Sequence, residues 1–141
     1  MTRPWQLHPQ LDADTHVVGS FRCCCLLLMN DAQYPWCMLV PRIAGAKELH
    51  RLDDADQLQV LRESVALSRA MELEFKPHKM NLAALGNMVP QLHLHHIARY
   101  KGDAAWPAPV WGKHPAIPYE NDKAAERIEA LRRLLPGLTL P

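Results

Sequence analysis

Residues 89–100 read VPQLHLHHIARY, which puts His93, His95 and His96 within four positions, with Gln91 just ahead. Side chains on an extended strand alternate between two faces. Gln91, His93 and His95 are therefore expected on one face of a strand, with Leu92, Leu94 and His96 on the other. Side by side, two imidazoles penalise each other's protonation. A neutral imidazole near pH 7 is a good nucleophile, provided its second ring nitrogen is held by an acceptor so that the attacking nitrogen keeps its lone pair. His93, flanked by Gln91 and His95, is the residue this spacing selects for attack at phosphorus. His96 reads as structural. A His-x-His pair can also offer two imidazoles to zinc, with the cysteines or His16 completing the set. No spacing in the chain identifies such partners.

The rest of the sequence must supply the frame for this ladder. With 141 residues and a net charge of +1, the chain suits one domain, 1–141, and offers no electrostatic reason for a nucleic-acid or anionic-membrane partner. MTRPWQLHPQ lacks the apolar stretch of a secretory signal, and CCCLLLM (23–29) is too short to span a bilayer. Cys23, Cys24 and Cys25 are consecutive and cannot easily pair with one another, so they read as reduced thiols in a cytoplasmic protein. Neither a G-x-x-x-x-G-K-[ST] phosphate loop nor a G-x-S-x-G nucleophile elbow is present. No cofactor is expected.

Residues 11–20 pass from a short helical turn into a strand around Val17 and Val18. CCCLLLM and WCMLVPR (36–42), joined by the turn-forming NDAQYP, predict a hairpin. Asp54 and Gln57 predict a capping box for a long helix, with Leu58, Leu61 and Val65 as its apolar stripe and Pro77 beyond its end. MNLAALG (80–86) and QLHLHHIAR (91–99) are two further strands. A Pro- and Gly-rich loop follows, and a last helix, about 122–135, places Ala124, Ile128, Leu131 and Leu135 on one side. The order implies an α+β fold with an antiparallel sheet.

The run Q-L-H-L-H-H-I, followed by A-R-Y-K-G-D, resembles the signature of the histidine triad (HIT) superfamily, in which histidines alternate with apolar residues. The resemblance extends from the strand at 23–29 through the loop after the signature. It implies a five-stranded antiparallel sheet with one long helix and a C-terminal helix, and a homodimer. The chemistry it implies is nucleotidyl hydrolysis or transfer, in which the middle histidine, His93 by position, attacks the α-phosphate of a nucleotide or dinucleotide. Dinucleoside polyphosphates and nucleoside phosphoramidates are the substrate types. His95 would act near the leaving group. Gln91 stands where the first histidine is expected and can orient but not carry a proton. Trp36 or Cys37 occupies the place of a further hairpin histidine, and Asn87 and Met88 that of a phosphate-holding Gln and Ser or Thr pair. These departures favour, as the alternative, a nucleotide-binding module with little turnover.

The resemblance also points to Asn30 or Asp31 for the ribose hydroxyls, although both residues equally suit a turn. Leu27 or Leu28, with Leu39, are candidates for the base slot. Trp106 and Trp111 could cap a pocket or pack against the sheet, and Arg99 and Lys101 could reach distal phosphates or simply be solvated.

Overall fold

The structure, a computed structural model, describes residues 4–141. The chain opens with a short helix α1 (Pro9–Asp14), whose first amides are closed by His8, its Nδ1 accepting from the Gln10 N–H. Strands β1 (Thr15–Ser20), β2 (Cys24–Met29) and β3 (Trp36–Pro41) follow, then a single 3₁₀ turn at Leu49–Arg51 and the long helix α2 (Asp54–Phe75). Strands β4 (Lys79–Ala83) and β5 (Leu94–Arg99) and helix α3 (Lys123–Leu134) complete it. The five strands form one antiparallel sheet in the order β1-β2-β3-β5-β4. This is the α+β arrangement expected above, with α1 as a third helix.

The sheet is covered on both sides, which is why β2 and β3 read as continuous apolar runs instead of alternating ones. Leu26, Leu28, Cys37 and Leu39 face α2 and α3, packing with Val60, Leu67, Met71 and Leu131. Leu27, Trp36, Met38 and Ile97 face the other way, beneath Leu11 of α1 and beneath Ala105 and Val110 of the loop after β5.

Two expectations for α2 are corrected. Its N-cap is Asp53, not Asp54: the Asp53 carboxylate accepts from the Asp56 N–H at 2.8 Å, and the Gln57 amide turns back to the Leu52 carbonyl. Either aspartate can cap by residue type, and only Asp53 has the extended backbone and the reach to the Asp56 N–H that the cap needs. Leu58, Leu61 and Val65 do not face the core. They are 48%, 57% and 39% exposed, while Val60, Glu63, Ser64, Leu67, Ala70 and Met71 are buried. Two polar residues lie in the buried stripe and hide its periodicity. Both have partners on the sheet: Glu63 accepts from the N–H groups of Cys23 (2.9 Å) and Cys24 (2.7 Å), and Ser64 meets His96 Nε2 at 2.7 Å.

A third correction concerns the signature strand. It begins at Leu94, not at residue 91, so Gln91 and His93 lie in the loop that leads into β5.

Candidate active site

β5 lies between β3 and β4, so side chains at its entry are flanked by strands on both sides. His95 is opposite Met38 in the register and turns toward the face of Trp36, Met38 and Ile97. His96 turns to the helix side, where Ser64 holds its Nε2 and the Leu94 carbonyl its Nδ1. Burial holds His96 down to about 4, despite that carbonyl, so it is a neutral residue of the core.

His93 and His95 meet ring to ring, with centroids 4.8 Å apart and planes at 72°. They are 7% and 5% exposed. Although the ladder is not a strand, the two imidazoles of the notional ladder do come together. Each has a defined tautomer. The His93 Nδ1 lies 2.7 Å from the Gln91 carbonyl, which can only accept, so Nδ1 carries the proton and Nε2 the lone pair. The His95 Nδ1 receives the Trp36 indole N–H at 3.0 Å, so its proton sits on Nε2. Burial, and then the neighbouring His93 and His96, push His95 down to about 3.

The Gln91 side chain does not touch the imidazoles. Its Oε1 accepts from the His8 N–H at 2.8 Å and its Nε2 donates to the Gln6 carbonyl at 2.9 Å. It thus ties the N-terminal segment to the loop before β5, using the acceptor and the donor of one amide.

His93 separates two cavities. One, about 320 Å³, is mostly apolar: Leu11, Met29, Trp36, Met38 and Trp111 line it with both imidazoles, and Asp14 and Asn87 stand at its wall. The other, about 390 Å³, has a mixed lining that includes Lys47, Glu48, His50, Gln57 and Gln91, and it shares Leu85, Gly86 and His93 with the first. Gly86, at φ 83°, makes the turn that lets one loop line both.

The remaining site candidates lie elsewhere. Leu28 and Leu39 are fully buried on the helix side of the sheet, away from the imidazoles. Asp31 is buried, its Oδ1 accepting from Gln33 and from the Ile117 N–H, and the Asn30 Oδ1 accepts from the Tyr119 N–H. Both fasten the segment before α3 to the hairpin turn. Arg99 is 2% exposed and paired with Asp103 at 2.8 Å, with Asn81 and the Ala108 carbonyl as further partners. Its guanidinium lies near the rings of Tyr34 and Trp106, so it organises the loop and does not reach the cavities. Lys101 is exposed. Of the two loop tryptophans, Trp111 joins the site, 5.1 Å from His95 between centroids, while Trp106 stays with Arg99 and His78.

Sequence reading missed Leu11, Asp14, Met29 and Met38. The alternation Trp36-Cys37-Met38-Leu39 was visible, but which face meets the histidines depends on β3 pairing with β5, which local patterns do not encode. Among the described residues, no group of three or more His, Cys, Asp and Glu is placed to hold a metal ion.

The five-stranded antiparallel sheet with a long helix behind it is the fold of solved histidine triad proteins. The HIT domain model matches residues 10–102, and the chain belongs to that family. A histidine triad protein from Marinobacter aquaeolei VT8 is 52% identical across 97% of this chain and 100% of its own, with a TM-score of 0.93. One from Bradyrhizobium japonicum is 45% identical, covering 93% and 98% of the two chains at a TM-score of 0.91. One from Sinorhizobium meliloti 1021 is 35% identical, covering 93% and 97%, also at 0.91. A search of curated proteins gives no match.

Proposed function

We propose that the protein is a nucleotidyl hydrolase or transferase that cleaves a nucleotide or dinucleotide at its α-phosphate through a covalent nucleotidyl-His93. The observation that carries this reading is the His93 tautomer: with Nδ1–H held by the Gln91 carbonyl, Nε2 keeps its lone pair and faces reaction without a prior proton transfer. As the N–P bond forms, the ring becomes an imidazolium, and that same carbonyl stabilises the proton on Nδ1.

The nucleoside occupies the apolar cavity, against Trp36, Trp111, Met29 and Met38. Its volume of about 320 Å³ is at the small end for a ligand site, which suits one nucleoside rather than two. Asp14, the carboxylate on that wall, takes the ribose role for which Asn30 and Asp31 are already committed elsewhere. Asn87 contributes its amide to phosphate oxygens. His95 donates from Nε2 to the phosphoryl group or the leaving oxygen.

The protein works as a homodimer. Glu63 of α2 reaches β2 and Ser64 reaches β5, so the flank of the helix carrying Leu61 and Val65 overhangs the β4 side of the sheet. Leu82, opposite His96 in the register and 55% exposed, points to that same side. β4 is the sheet's free edge there. Exposed leucines beside an unpaired strand edge suit a second copy of the chain.

Incubation with α-phosphate-labelled dinucleotides, followed by a base quench, tests the catalytic reading. Wild-type protein should retain acid-labile label and His93→Ala none. If neither protein retains label or forms product while calorimetry records mononucleotide binding, the site is a nucleotide-binding module instead. The commitment of Gln91 to the N-terminal segment and the 93% exposure of Met88 are the features that favour this second reading.

A further inference from the structure

We propose that Trp36 is a positioning residue that locks His95 as a hydrogen-bond donor unable to pass on a proton, and that the site is thereby matched to phosphoanhydrides, not to substrates with a P–N bond. The proposal rests on His93 as nucleophile and narrows the substrate class of that reading.

An indole N–H can only donate. Lying 3.0 Å from His95 Nδ1, it obliges that nitrogen to accept and leaves the proton on Nε2. The indole has little room to turn away: it is 5% exposed and meets Tyr34 and Trp111 edge-on at 6.3 and 6.1 Å. A second proton would have to enter at Nδ1, where the indole N–H already points. Loss of the proton on Nε2 would leave an imidazolate in a buried site. His95 can therefore hydrogen-bond to a departing group but not protonate it. The titratable groups around it do not alter this. His93 faces it from the loop before β5 and Asp14 from α1 across the cavity, while His96 sits on the other face of β5. Burial keeps His95 neutral at working pH, in agreement with the geometry.

For an anhydride, the N–P bond forms from the His93 Nε2 lone pair as the P–O bond breaks. The electron pair leaves on a phosphate oxygen, where it is delocalised and needs no proton. Water then attacks phosphorus, its proton goes to solvent, and the N–P pair returns to Nε2. A P–N substrate must instead have its nitrogen protonated before that bond can break. Neither His95 nor the Gln91 amide, engaged with Gln6 and His8, supplies that proton, and Lys47 and His50 of the neighbouring cavity are exposed side chains that no hydrogen bond among the described residues holds toward His93.

The test has two arms. Nitrogen NMR of the resting, imidazole-labelled protein should give His95 as the Nε2–H tautomer, unchanged between roughly pH 5 and 8, and Trp36→Phe should release it to titrate. Specificity constants should favour diadenosine triphosphate over adenosine 5′-phosphoramidate by at least ~10²-fold, the usual minimum worth of a general acid. Trp36→His, which returns a proton carrier beside His95, should narrow that ratio at least about tenfold. It also serves if the phenylalanine variant does not fold. An Nδ1–H tautomer would overturn the Trp36 role, and equal or faster cleavage of the phosphoramidate the substrate class. Turnover of neither substrate, with the expected tautomer, would instead sink the reading of His93 as nucleophile and the substrate preference with it, leaving the Trp36–His95 lock intact.

Discussion

The Gln91 side chain bridges two backbone groups of the N-terminal segment and belongs to the architecture of the site before it belongs to its chemistry. Gln91→Ala should leave the His93 tautomer intact, because that depends on the Gln91 carbonyl. It should instead cost about 1–2 kcal/mol for the lost amide pair. Hydrogen exchange checks this: the His8 amide should exchange faster in the variant, while amides of β5 stay protected. Two other residues set the acid stability. His95 and His96, held down to about 3 and about 4 by burial, stay neutral in the folded chain, whereas an unfolded histidine takes up a proton near 6.5. Their stabilisation is complete above about pH 6.5 and is lost as pH falls toward 4, because the unfolded chain then binds more protons. The loss approaches at most ~1.4 kcal/mol per pH unit for each ring. Urea denaturation at pH 7 and pH 5 should show it, and His96→Phe should flatten the slope. A slope unchanged by that variant would mean that other groups govern the acid transition.

At the scale of elements, the sequence disclosed the strands, the hairpin and both principal helices, since each carries its own periodicity or turn residues. It misled on the inner face of α2. Leu58, Leu61 and Val65 repeat at helical spacing and are apolar, yet the stripe that packs inward includes Glu63 and Ser64. No local pattern signals that a carboxylate will be buried, because its partners, the amides at Cys23 and Cys24, lie some 40 positions away in the chain. The same limit hid Met29, Met38 and Asp14 from the site: strand pairing and the docking of α1 bring them together. His93 and His95 were legible because both sit on one short stretch. Glu63 is thus a helix-to-sheet tie. Glu63→Ala should cost roughly 3 kcal/mol by leaving one buried and one half-buried amide without an acceptor, and Glu63→Gln less, since it keeps one acceptor oxygen. Thermal melts of both variants would order them, and a Glu63→Ala protein as stable as wild type would deny the tie.

For the whole molecule, the stripe that failed as core explains itself as an outer surface. Leu61, Val65 and Leu82 lie on the helix side of the sheet near the free edge of β4, a combination that a lone chain would be expected to blunt with charge. Sedimentation should give twice the mass of the 16.0 kDa chain, and the double variant Leu61→Glu, Val65→Glu should sediment as a folded monomer. Wild-type protein that sediments as a monomer at micromolar concentration would refute the dimer. Among the described residues no helix is long and apolar enough to cross a membrane.

Trp36 and Trp111 stand 6.1 Å apart on the wall of the apolar cavity, beside the paired imidazoles. Indole emission follows the polarity of its surroundings and is quenched by stacked purines, so the site carries its own optical probe. A nucleoside entering the cavity should dim and shift that light without any label being attached. Trp106, packed on the buried Arg99, and Trp5, packed at the edge of the same core, would contribute the background. Replacing Trp106 with phenylalanine would sharpen the signal, and occupancy of the cavity could then be followed in real time in a stopped-flow cell.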